Sequence, residues 1–357
     1  MLNSEANIKT VLSAIQSAEG EGFVCKEEEL MGEAIKIIRR KSSLMIKILT
    51  VIGALMASSF LSNFIFLTGL QKNGIGLLVV GVLMIFGTLL LIKYSGELFL
   101  ETLCVAYFIT GYLLFGYGCN LLKQSENQLI VYYISISFCV FLLSKNYLMI
   151  LISMLVFSAS LLSFIHLNKY DQLIHAYILI YALGMVLFLL NEALFITKFR
   201  QLTTLYNPIR IGMILSLLMG LSLIGSKNLF PINIQMIWIS SVVCIGLILY
   251  LTNHILIKMH VQKSNRLILA FTGLILLTTV LSPAISGAIL IIMLCFSINF
   301  RPGIGLGIVA TIYFIAQFYY DINVSLFVKS MLLLSTGVLF ILLYFFTNKY
   351  LLADEKI

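Results

Sequence analysis

From residue 44 onward the chain alternates between long apolar runs and short polar breaks. About twenty apolar residues carry a helix across the hydrocarbon of a bilayer. Runs of that order lie near 44–69, 74–92, 98–119, 128–143, 147–166, 172–190, 208–226, 235–257, 265–281, 284–299, 303–319 and 324–347. The pattern predicts an all-α fold, a polytopic transmembrane helical bundle of about 12 spans. The runs at 128–143 and 284–299 are short, so tilted or re-entrant segments stay open there, and ten or eleven crossings stand beside twelve. Pro208, Pro231, Pro283 and Pro302 fall at run boundaries, where a first helical turn tolerates a missing N–H.

The first 43 residues follow a different pattern. Ile8, Val11, Leu12 and Ile15 share one face of a short amphipathic helix, which Gly20 and Gly22 end. A second helix is predicted over about Lys26–Lys41, acidic at its start (Glu27, Glu28, Glu29) and basic at its end (Arg39, Arg40, Lys41). That polarity complements the helix dipole. The chain therefore divides into an N-terminal helical hairpin at 1–43, a membrane bundle at 44–350 and a short tail at 351–357. The hairpin reads as a solvated cap or as a docking surface for a partner. The N-terminus opens polar and its first long apolar run begins at Leu44, so no signal peptide is expected.

Composition agrees with the pattern: 61% hydrophobic and 11% charged, with mean hydropathy +1.06. Soluble domains are nearer 45–50% apolar and about 25% charged. The net charge of +8 would suit an anionic partner, but the basic residues are spread over short loops, which does not point to nucleic acid. With the N-terminus in the cytoplasm, 18 of the 23 Lys and Arg residues fall inside and five (Lys72, Lys123, Lys169, Lys227, Lys329) fall outside. The positive-inside rule then predicts both termini in the cytoplasm. The six cysteines form no CxxC pair and read as packing residues.

Candidate chemistry is sparse. Lys93, Glu97 and Glu101 are spaced by four and share a helix face entering the third span. They suit an ion path or an interfacial salt bridge, with Glu101 about a turn into the apolar zone. Glu192 is expected to pair with Lys198 or Arg200. His166, Lys169, Asp171 and His175 frame one outer loop without a metal-ligand spacing, and His254 and His260 read as interfacial. Gly303 and Gly307 form a GxxxG pair that predicts close helix packing. No HExxH, GxGD, GxSG, GxSxG or P-loop string occurs, so neither an enzyme nor a cofactor is expected.

One stretch resists bland substitution. Tyr319, Tyr320, Asp321 and Asn323 sit at an outer boundary, and Lys329 follows about two turns into the last apolar run. A lysine costs roughly 2.5–3.5 kcal/mol at a helix centre and less near an end, so Lys329 needs a partner or a way to snorkel. Asp321 is eight residues away, about 12 Å along a helix, too far for a bond unless the turn folds back. The outer acids are few (Glu126, Asp171, Asp321), and the expectation is an ion pair with one of them, Asp321 first. A binding role for Tyr319, Tyr320, Asp321 and Lys329, together with Glu97 and Glu101, is the alternative.

The pattern Tyr319-Tyr320, Leu326, Lys329-Ser330 and Gly337, before a leucine-rich tail, resembles the C-terminal signature of an uncharacterised bacterial membrane family, domain-of-unknown-function family 4401. The likeness extends over most of the chain, including a short helical segment before the first span. The family's third tyrosine is Phe318 here, and its usual threonine is Ser325. The resemblance implies an inner-membrane protein with no assigned reaction. It also implies a shared complex with membrane-anchored proteins carrying a GDYxxLxY motif, which are often encoded beside the family. Two function classes follow, a non-enzymatic component of an envelope assembly, and a secondary transporter or flippase of small molecules or lipid-linked substrates. In the second, Glu101 and Lys329 would be the coupling groups.

Overall fold

The computed structural model describes residues 44–92, 98–198, 205–225, 236–258, 265–321 and 325–331, with scattered positions from 334 to 345. The hairpin expected at 1–43, the tail at 351–357, Lys93, Glu97 and most of the last predicted span lie outside the described residues.

Every described element is helical. In order they are α1 (Leu44–Leu67), α2 (Gly74–Leu91), α3 (Leu98–Leu121), α4 (Glu126–Leu143), α5 (Tyr147–Leu167), α6 (Leu173–Leu190), α7 (Glu192–Lys198), α8 (Tyr206–Gly225), α9 (Trp238–Lys258), α10 (Asn265–Leu277), α11 (Pro283–Ser297) and α12 (Arg301–Asp321), with a 3-10 turn at Leu70–Lys72. Helices α1–α6 and α8–α12 coincide with the predicted runs to within a few residues. Among the described residues nine helices are long and apolar enough to cross a membrane, and α10 and α11 are shorter apolar helices. The run expected at 128 begins at Glu126 because Ser125 caps it. The Ser125 hydroxyl accepts from the Gln128 N–H, and the Gln128 side chain accepts from the Ser125 N–H. Those two extra residues bring α4 to 18 residues.

Two compact units divide the chain after Leu121. In the first, α3 packs against both α1 and α2. The α2–α3 contact is backbone on backbone. A Cβ built on Gly81 would stand 2.9 Å from the Gly111 carbonyl oxygen, and one on Gly111 would stand 2.9 Å from the Gly81 oxygen. Farther along, one on Gly118 would stand 3.0 Å from the Gly74 oxygen. Gly74 and Gly81, like Gly111 and Gly118, are seven apart and so share a face. In lipid there is no hydrophobic drive between helices, and such close van der Waals contact supplies the association instead. The outer face of α1, with Phe60 and Leu67 each more than 70% exposed, is apolar and suits lipid.

In the second unit α8 is the hub, touching α5, α6, α11 and α12. Its side chains Ile214, Leu217 and Leu221 are fully buried beside Met185 and Ile291. Small residues again set the spacing: a Cβ on Gly220 would meet the Tyr177 ring at 2.5 Å, and one on Gly307 would meet Ile292 at 2.6 Å. Gly303 abuts Cys295 and Phe300 in the same way, so the predicted GxxxG pair does pack α12 onto α11, while Gly305 faces open space. Helices α8 and α12 run parallel, because Arg210 lies on Phe300 at their starts and Gly225 lies near Phe314 and Gln317 toward their ends. Between them α11 runs the other way, with Ala284 at Gly225 and Cys295 at Gly303.

Gly81→Ala should lower the thermal unfolding midpoint in mild detergent, at a cost of about 1–3 kcal/mol for a side chain forced into a closed contact. Gly87→Ala on the same helix meets nothing within 4 Å and should be neutral or mildly stabilising. Equal midpoints for the two variants would contradict the close approach.

Candidate functional site

The last turn of α12 leaves carbonyls without helical partners, as every helix end does. Tyr319 contributes one of them. Lys329, in the helical stretch 326–331, folds back over this end and donates from Nζ to the Tyr319 carbonyl oxygen at 2.8 Å. The same ammonium stands 5.0 Å from the centre of the Tyr319 ring. Three attractions therefore act together, the negative end of the α12 dipole, a charge-assisted hydrogen bond and a cation–π contact. The expected ion pair with Asp321 is not the one formed. A backbone oxygen satisfies Lys329, and an inventory of acidic side chains could not reveal it. Tyr320 is 76% exposed and sits edge-on to Tyr319 at 5.6 Å, as in an interfacial aromatic belt.

Asp321 is half-buried and faces elsewhere. It lines a cavity of about 280 Å³ at the ends of α8, α11 and α12, together with Gly225, Ser282, Phe314 and Phe318. Ser282 is the N-cap residue of α11 and makes no side-chain cap bond, so its hydroxyl is not committed to the helix. One turn before Asp321, the Gln317 amide oxygen is buried without a hydrogen-bond partner.

Glu101 belongs to the other unit. It lies in the first turn of α3, half-buried, where an acid complements the helix dipole. Glu97, its predicted neighbour, is outside the described residues.

Several polar groups of the second unit stand in surroundings that the sequence did not show. Arg210, in the second turn of α8, lays its guanidinium 3.5 Å from the centre of the Phe300 ring and donates to Asn207 Oδ1 at 2.6 Å. Glu192, predicted to pair with Lys198 or Arg200, is within electrostatic reach of Arg210 and Tyr206. Arg200 and the Lys198 side chain lie outside the described residues. The Tyr206 hydroxyl is buried, with the Glu192 carboxylate nearby. His175, expected in a polar loop, is 8% exposed and its Nδ1 is 2.6 Å from the Ser240 hydroxyl of α9. Tyr177 donates to the Ser216 carbonyl oxygen at 2.8 Å and also bonds Ser158. The only sequence signal for these contacts was a polar residue inside an apolar run.

Long apolar helices and lipid-compatible faces define a polytopic α-helical integral membrane protein. The family described as Domain of unknown function (DUF4401) matches residues 43–350, and the chain belongs to that family. No curated protein and no solved structure matches it.

Lys329→Met removes the bonds to the Tyr319 carbonyl and ring and should cost about 1–3 kcal/mol. Adding Asp321→Asn should recover none of that loss, since Asp321 is not the partner. Unfolding midpoints of the single and double variants read both effects, and recovery in the double variant would restore the ion pair.

Proposed function

We propose that the protein crosses the inner membrane twelve times, with both termini in the cytoplasm, as a non-enzymatic component of an envelope assembly. The direction of the helices supports the count. Ile237, just before α9, and Ser282, just before α11, both line the Asp321 cavity, while α11 ends beside Gly303 at the opposite end of α12. The short helices α10 and α11 thus connect the same two ends as the long ones, and the run to residue 347 adds a twelfth crossing. The inside placement of both termini rests on the distribution of Lys and Arg.

The observation that carries the assembly reading is the backbone partner of Lys329. A coupling residue in a transporter must change partner during the cycle. This ammonium is held by the backbone of the preceding helix, a partner that no substrate carries away. The proposed partner is the one the C-terminal resemblance implies, a membrane-anchored protein bearing the GDYxxLxY motif, and residues 1–43 are the surface proposed to meet it. The transporter or flippase reading is the second one, and the Asp321 cavity favours it.

Cells co-expressing the tagged chain and such a GDYxxLxY protein test the proposal. The two should co-purify from mild detergent, and deletion of residues 1–40 should weaken the association while leaving the bundle inserted. In the same cells a membrane-impermeant thiol reagent should miss Ser4→Cys and Glu355→Cys. Recovery no better than that of an unrelated membrane protein would sink the assembly reading, and labelling of either cysteine would sink the topology.

A further inference from the structure

We infer that the cavity at the Asp321 end is a binding site for a small apolar ammonium compound. The size, the walls and the polar groups each constrain the occupant. An apolar cavity of about 150 Å³ holds benzene. At about 280 Å³ this one takes a ring with a short chain, or an aliphatic body of similar bulk. Ile237, Phe314 and Phe318 supply apolar walls that favour such a body over a sugar or a nucleotide.

Two polar side chains line the cavity, Asp321 and Ser282, and the Ser282 hydroxyl can donate or accept. Asp321 lines the cavity with its carboxylate, which offers about four acceptor positions, so an existing partner leaves capacity for another donor. Ser282 is 7% exposed and its hydroxyl is not used as a helix cap. The Gln317 amide oxygen, on the same face of α12 one turn earlier, is buried and unbonded close to Gly225. A carboxylate lining the cavity disfavours an anion. An ammonium group with several N–H donors complements it. The same helix end already accepts one ammonium, that of Lys329, on the Tyr319 carbonyl. The site stands independently of the assembly reading, since nothing in it involves residues 1–43.

Trp238 makes the test direct. It is the only tryptophan in the chain and follows Ile237, which lines the cavity. The purified full chain in detergent is titrated with 2-phenylethylamine at neutral pH while Trp238 emission is recorded. Its neutral isostere 2-phenylethanol is titrated alongside. The amine should give a saturable change, with the alcohol at least tenfold weaker. Asp321→Asn should erase the difference between the two, and Ser282→Phe, which fills the cavity, should remove both responses. The comparison of the two compounds on the unaltered chain needs no variant to fold. Equal affinities would show a plain hydrocarbon slot and overturn the inference, and so would the absence of any saturable change with the amine.

Discussion

Hydrocarbon offers no hydrogen bonds, and that constraint governs this structure more than any single contact. Most hydroxyls meet it within their own helix. Ser62, Thr88, Ser153, Ser160, Thr252 and Thr311 each donate to a carbonyl three or four residues back. Such bonds satisfy the group but tie no helix to another. The few that cross between helices therefore carry the specificity. Tyr177 joins α6 to α5 and α8, and His175 joins α6 to α9. In the first unit the Thr110 hydroxyl adds a long contact to the Ser58 carbonyl, 3.4 Å away on α1.

Charges obey the same rule at the two ends of α12. Arg210 lies over Phe300, immediately before the helix begins, and Lys329 lies over Tyr319, two residues before it ends. Each cation is given an aromatic face and an oxygen from a neighbouring residue. A cation held in this way anchors a helix end. Asp321 is placed differently, lining a cavity at the other side of the same helix end.

Hydropathy made the helices legible because a bilayer imposes one length and one polarity on every crossing. Boundaries shifted by a few residues, as at α4, which the Ser125 cap starts at Glu126, and at α10, which ends at Leu277. Packing was partly legible. Gly303 and Gly307 announced themselves by spacing, whereas the seven-residue glycine spacing on α2 and on α3 does not say which helix each one meets. The site was read less well, for a physical reason. Sequence shows side chains, and the partner of Lys329 is a backbone oxygen that exists only once α12 has ended at Asp321. His175 looked like loop polarity because its partner Ser240 is 65 residues away. Arg210 looked like one more inside charge because the Phe300 ring beneath it comes from another helix boundary.

A handful of interhelical polar bonds specifies the second unit, and the Tyr177 hydroxyl makes two of them. Tyr177→Phe keeps the ring against Gly220 and removes only the hydroxyl that reaches Ser158 and Ser216. Reversible unfolding in bicelles should show a loss of about 0.6–2 kcal/mol, the range for hydrogen bonds between membrane helices. Ser158→Ala added to it should cost little more, because the shared bond is already gone. A Tyr177→Phe protein as stable as the parent, or one in which the two losses simply add, would contradict the account.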